Sequence, residues 1–395
     1  MKRAVWVVPF ILIAVVGLAF PGEGANAEKK IQWPSGDSRD LQSVIDAAPD
    51  GATIQIKEGV YRFSEPLYVR GKRLTLIGAG SGLRAGRRIT QLVGPSPNPV
   101  VDERGNLVLF ADAVVGLLNL IAADVEIRDL QITGFDAGIV TRADERGNAG
   151  PTVVTHVLIM DTGRGILSVS PSDLTVNEST IMNTLWNGIS AGPSSFDAKM
   201  LPKIHIENLT LIDAGGTGIY VQYAVNAGIY KAFVYGAKYG GIVAVKSNYS
   251  IHYSTLISNM VAGILVQGEH PAIKGSTLLE GNSILYTQPL LSKFGDGVVA
   301  TLFPGQQHLA VVLTDNYITS NERAGVSSFG ADVTFSGNKL LCNPFDMDGE
   351  SFDNQPSLPY TFHDNGQNFC GCPGAGGPCK ASSSQIEPPG AIVSP

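Results

Sequence analysis

A glycine followed by an aliphatic residue recurs through the middle of the chain. It appears at Gly138-Ile139, Gly165-Ile166, Gly188-Ile189, Gly218-Ile219, Gly241-Ile242, Gly263-Ile264 and Gly325-Val326, with Gly297-Val298 a weaker member. The first six are 22 to 30 residues apart, and one further pair, Gly228-Ile229, falls off the period. A period of this length means stacked units, each burying its apolar face against its neighbours. Upstream of the glycines run short alternating segments: Val125-Glu126-Ile127 with Leu130-Gln131-Ile132, Leu174-Thr175-Val176 with Thr180-Ile181, Ile204-His205-Ile206 with Leu209-Thr210-Leu211, and Ile251 with Leu256. Two-residue alternation marks half-buried strands. No dozen-residue stretch between repeats has helical periodicity, which excludes leucine-rich and other helix-containing solenoids. Each repeat therefore reads as strand, bend, strand, Gly-Ile strand and loop. Coils of this kind stack ~4.8 Å apart with parallel pairing, and the expected fold is an all-β parallel β-helix. The glycine before Ile marks a bend or a close packing contact.

Composition agrees. Glycine stands at 46 of 395 residues without a Gly-X-Y period, and charged residues are only 16%, against a usual level of about 25%. The formal charge is −7. A nucleic-acid binder would carry a basic excess, so nucleic acid is excluded as a partner.

Residues 1–27 read as a signal peptide. Lys2 and Arg3 precede an apolar run from Ala4 to Phe20, and Ala25-Asn26-Ala27 offers small residues for cleavage. No later segment has the length and apolarity of a membrane span. The expected location is secreted, periplasmic or at the cell surface. The cysteines Cys342, Cys370, Cys372 and Cys379 all lie near the C-terminus. In an oxidising compartment an even set favours two disulfides, with three connectivities open. A zinc site with His363 fits less well, because Cys370-Gly371-Cys372 is tighter than the usual pair spacing.

An N-terminal cap is expected where Leu41, Val44, Ile45 and Ala48 share a helical face that Pro49-Asp50-Gly51 ends. The capped β-helix is expected over residues 28–342, a disulfide-stapled C-terminal cap over 343–380 and a disordered tail over 381–395. The run Leu41 to Ala52, followed by Glu58-Gly59-Val60-Tyr61 and Leu74-Thr75-Leu76-Ile77-Gly78, resembles the opening of the pectin-lyase-like superfamily of right-handed parallel β-helices. That superfamily holds pectate lyases, polygalacturonases, pectin methylesterases, uronan epimerases and periplasmic repeat proteins similar to the copper-maturation protein NosD. The resemblance covers about residues 40–342. It implies a right-handed β-helix and, as the broad expectation, a polysaccharide partner.

The activity motifs of these families are absent. Gly59-Val60-Tyr61 is followed by Arg62-Phe63 where methylesterases carry a Glu, and Asn183-Thr184 by Leu185 where polygalacturonases carry an Asp. The Trp-x-Asp-His signature of pectate lyases and the Asp-Pro-His-Asp motif of alginate epimerases do not occur. Six His and six Met without clusters do not suggest a copper role.

Aligning coils on the Gly-Ile pair stacks Arg164, Trp186, Asn187, Thr217, Lys238 and Tyr239 at one bend, with Tyr220 and Gln222 outward after the glycine. His205, Glu207, Tyr230 and His252 face outward before it. Aromatic faces with amide and cationic neighbours suit sugar rings and uronate carboxylates, so Trp186, Asn187, Tyr220, Lys238 and Tyr239 are the expected substrate contacts. Elimination from a uronic acid needs a base beside the carboxylate and a cation for the enolate-like transition state. Lys231, His252 or Tyr230 would serve as base, with Arg164 or Lys238 as the cation. Outward ladders of this sort also stabilise any β-solenoid by cross-coil stacking, so a non-catalytic scaffold is the alternative. No cofactor is expected. No metal site is assigned: a Ca²⁺ bridge would need convergent carboxylates, and Asp161 with Asp213, the best offer, differ by one residue in their offsets from the glycine. Gly78-Ala79-Gly80-Ser81-Gly82 reads as a turn rather than a phosphate loop, since no helical pattern follows it.

Overall fold

The computed structural model describes residues 29–34, 40–83, 88–97, 115–169, 171–193, 201–268, 273, 275–290, 293–302, 309–350, 360–374 and 376–384. The expected signal peptide, 1–27, lies outside the described residues.

Apolar side chains at every second position of short strands can be buried only if the chain closes on itself. It does so as a parallel β-helix of three sheets, with 13, 12 and 12 strands among the described residues. The first sheet contains Leu174–Asn177, Ile204–Glu207, Ala227–Tyr230, Tyr249–His252 and Thr277–Glu280. The second contains Thr180–Thr184, Thr210–Ala214, Phe233–Tyr235 and Thr255–Ile257. The Gly-Ile strands form the third, among them Arg164–Ser168, Thr217–Gln222, Gly240–Val245 and Ala262–Gln267. In the first two sheets buried and half-exposed positions alternate, as the sequence pattern demands.

The isoleucines after the glycines stack in register, Ile139 on Ile166, Ile189, Ile219, Ile242 and Ile264, all in the core. The glycine is required because it also faces inward. A Cβ on Gly165 would come 2.3 Å from the Gly188 carbonyl oxygen and 2.6 Å from Ile181 Cγ2. Two consecutive inward positions interrupt the alternation, and the residue before each glycine consequently sits on the outer side. Inserting even one methyl into such packing usually costs about 1–3 kcal/mol. Gly165→Ala should therefore lower stability by about that amount in urea unfolding, since the opposing atom is backbone and cannot rotate away.

The third sheet differs from the expectation for an outward face. Its outer side chains are buried as well, in a second apolar cluster of Tyr220, Val243, Val245, Ala262, Leu265, Val299 and Phe329. Outward here does not mean exposed.

The two ends differ. At the N-terminus the helix Leu41–Ala47 begins with Asp40, whose carboxylate accepts from the Ser43 amide. Lys72 donates to the carbonyls of Ile45, Asp46 and Ala48 at its C-terminal end, which satisfies groups that a helix end leaves free. At the C-terminus the expected boundary at 342 is not there. Phe345–Glu350, Thr361–Asp364, Phe369–Cys370 and Ala381–Ser382 each pair in parallel with the preceding coil. The disulfides are Cys342–Cys372 and Cys370–Cys379.

Residues 381–384 are ordered, against the expectation of a disordered tail, and 385–395 lie outside the described residues. The reason is a buried charge cluster on the outer side of the third sheet. Arg323 bridges Asp296 and Asp348, whose carboxylates are fully buried. Ser384 donates to Asp348 through its amide and hydroxyl, and the Ser383 hydroxyl donates to Glu350. Burial pushes the Asp296 carboxyl up to about 6 against the pull of Arg323. Removing the cation from a buried ion cluster commonly costs about 3–5 kcal/mol, so Arg323→Met should be destabilised by that order at pH 8. A carboxyl raised above its unfolded value stabilises at low pH and loses that contribution as pH rises through its folded pKa. The variant's deficit should therefore shrink as pH falls toward 5, which thermal melts across pH would show.

Candidate functional site

The parallel register that builds the core also lines up outer side chains. On the first sheet, Asn177, Glu207, Tyr230, His252 and Glu280 are register partners on successive coils, ~4.8 Å apart along the axis. His205 lies beside this row, two residues before Glu207.

At its centre the Tyr230 and His252 rings stack 5.0 Å apart with planes inclined by only 5°. His205 lies on the other side of Tyr230, with centroids 5.5 Å apart. His252 Nδ1 is 3.0 Å from Glu280 Oε2. An ionised carboxylate only accepts, so the Nδ1–H donates to Glu280, and in the neutral ring Nε2 is the nitrogen that keeps a lone pair. Nε2 has no partner among the described residues. This arrangement fixes both tautomer and ring plane, which is how a base is held ready for a proton. His252 is mostly buried, with 13% of its side chain exposed, and Glu280 and Tyr230 are half-buried.

The position of Tyr230 depends on Gly228, the glycine that fell off the period. Gly228 belongs to the first sheet rather than the third. A Cβ there would come 2.6 Å from Tyr230 Cε2, so the ring lies back over the glycine. The opposing atom is the far end of a mobile side chain. Gly228→Ala should therefore displace Tyr230 and break the stack while changing unfolding stability by less than about 1 kcal/mol. Near-ultraviolet circular dichroism and urea unfolding of the same variant check both halves.

The expected site residues divide between two places. Lys231 is exposed in the turn after Tyr230, its amide bonded to the His252 carbonyl, and so joins His252. Arg164 does not. It begins a strand of the third sheet and is almost fully buried, and burial lowers its pKa against the opposing influence of Asp136. It cannot neutralise a carboxylate at His252, which is a correction to the joint site read from the sequence.

The expected substrate contacts also separate. Trp186 and Tyr239 are half-buried at the corner between the second and third sheets, two coils apart with Gly216 between them, linked by backbone bonds from Gly216 to Trp186 and from Tyr239 to Gly216. Lys238 is exposed beside them. Asn187 is buried, donating to Ser190 and accepting from the Thr217 amide. Tyr220 is fully buried and donates to Gln222. Neither offers a free edge to a ligand, because their outward face is the covered one. Asp161 and Asp213 do share one corner, with Asn183 between them donating to Asp161. Among the described residues no group of three His, Cys, Asp or Glu is placed to hold a metal.

Glu280 was missed by the sequence reading. Its signal was weak: Glu280 ends the segment Thr277-Leu278-Leu279-Glu280, whose paired leucines hide the alternation, one coil beyond His252 and ahead of the weak Gly297-Val298 repeat.

The comparisons concern fold. Residues 164–340 match the family described as the right handed beta helix region. The A-module of the mannuronan C-5 epimerase AlgE6 of Azotobacter vinelandii is similar with a TM-score of 0.52 at 16% identity, over 88% of this chain and 95% of that one. The AlgE4 A-module of the same organism gives 0.50 at 16% identity, over 84% and 83%. No curated protein sequence matches.

Proposed function

We propose that this chain, a right-handed parallel β-helix in fold, is an exported protein that binds and processes an acidic polysaccharide along the outer face of its first sheet. The observation that carries this reading is His252, held between the Glu280 carboxylate and the Tyr230 ring with Nε2 free. Two solved relatives by fold are named as epimerases of mannuronan, and two disulfides accord with an oxidising compartment. Among the described residues no helix is long and apolar enough to cross a membrane.

The chemistry follows from the geometry. His252 Nε2 takes the proton from the sugar carbon beside the uronate carboxylate, and the electron pair moves into that carboxylate as an enolate. The Lys231 ammonium, exposed next to the site, offsets the charge. The enolate then either expels the oxygen at the neighbouring carbon, which takes the proton that His252 now holds and leaves a double bond, or regains a proton from water on the opposite face while His252 returns its own to solvent. Glu280 stabilises the imidazolium formed in the first step.

Ultraviolet absorbance reads elimination, and proton NMR of the sugar hydrogens reads epimerisation, on a panel of uronic-acid polysaccharides with and without Ca²⁺. Loss of a general base typically costs 10²–10⁴-fold, so His252→Ala should lose about that much and Glu280→Gln less. Turnover that survives His252→Ala unchanged would rule out this site. Binding without turnover in the native protein would leave a recognition module, and neither binding nor turnover would favour the scaffold.

A further inference from the structure

A pocket opens on the same ridge, three coils from His252. Its centre is the turn between the first and second sheets, where Asp129, His156, Glu178 and Asn208 occupy one corner on successive coils. His156 Nε2 lies 3.0 Å from Glu178 Oε2, and Nδ1 lies 3.5 Å from Asp129 Oδ1. One imidazole thus stands between two carboxylates. The cavity in front of them is about 570 Å³, and the segment from Gly80 to Leu83 forms part of its wall. This is the glycine-rich run that reads as a simple turn in the sequence. The size lies within the usual range for small-molecule sites, roughly 300–1,000 Å³.

The groups left over are those that recognise hydroxyls. Each carboxylate has a second oxygen, and neither Oε1 of Glu178 nor Oδ2 of Asp129 is bonded among the described residues. The hydroxyls of Thr180 and Thr210 and the Asn208 amide line the same cavity and make no side-chain hydrogen bond among the described residues. A carboxylate accepts only and suits the paired O–H donors of a sugar diol, while the amide and hydroxyls both donate and accept. Two carboxylates outnumber the single imidazole between them, and the described lining contains no Lys or Arg, so a further carboxylate would be repelled whichever charge the ring carries. A uronate is the wrong ligand here.

We propose that the Asp129–His156–Glu178 pocket binds a neutral, hydroxylated sugar residue. Glu178 and Asp129 accept its hydroxyls and Asn208 donates to a ring or hydroxyl oxygen. The site is separate from His252: Glu178 follows Asn177, which is three register steps from His252, or ~14 Å along the axis.

The test uses the methyl glycosides of glucose, galactose and mannose, with methyl glucuronide as the charged probe, each titrated into the native protein by NMR. At least one neutral glycoside should bind at millimolar concentration and methyl glucuronide should bind at least tenfold more weakly. Glu178→Gln should weaken the neutral ligand about tenfold, with Asn208→Ala as the second variant should the first lose its fold. His252→Ala should leave this binding unchanged, which separates the pocket from the proposed reaction. Equal or tighter binding of the glucuronide, no binding of any neutral glycoside, or binding indifferent to both pocket variants would each overturn the proposal.

Discussion

The parallel hydrogen bonding between coils is the constraint on which everything else depends. It sets successive turns of chain ~4.8 Å apart and allows no slippage, because a one-residue shift would send every core side chain outward. A residue's neighbours are consequently the residues at its own position one coil before and after. That rule places isoleucine on isoleucine inside the solenoid. Outside, it places Tyr230 on His252 and His252 on Glu280. The core and the candidate site are products of one register.

The three outer faces then meet different fates. The first sheet keeps polar side chains half-exposed and makes the stacked row. The third buries its outer face in a second apolar cluster and a charge cluster around Arg323. A solenoid whose surface was read only from alternation would offer both faces to a ligand. The third is closed because its outward residues, Tyr220, Val243, Leu265 and Val299, are as apolar as a core, and apolar area of that extent is driven out of water.

The sequence made the coil readable because glycine and isoleucine both face inward at each repeat, an irregularity repeated often enough to be seen. The N-terminal helix was readable for the same reason, since Leu41, Val44 and Ile45 repeat at helical spacing and are buried. Half of the candidate site was readable too: His252 and Tyr230 were outward by simple alternation, and Lys231 follows directly. Arg164 was misplaced because counting from the glycine gives a position but not the depth of what covers it. The Cys pairing could not be read at all, since four cysteines permit three pairings and only the end of the last coil brings Cys342 to Cys372 and Cys370 to Cys379. The C-terminal boundary failed for a related reason. Segments such as Phe345–Glu350 carry Asp and Gly at positions where the earlier repeats carry aliphatics, so alternation vanishes although pairing continues.

Gly228 shows how a repeat protein can acquire a site without leaving its repeat. The Tyr230 ring lies back toward the position two residues earlier on its own strand, which it can do only where that position carries no side chain. Gly228 supplies that vacancy, and the Tyr230 ring fills it. The ring is then parallel to the imidazole on the next coil rather than tilted against it, and His252 is confined between a flat surface and a carboxylate. The stacked pair needs one glycine at a position where the solenoid itself demands none. This residue has no role in the core, whereas the periodic glycines have nothing else to do.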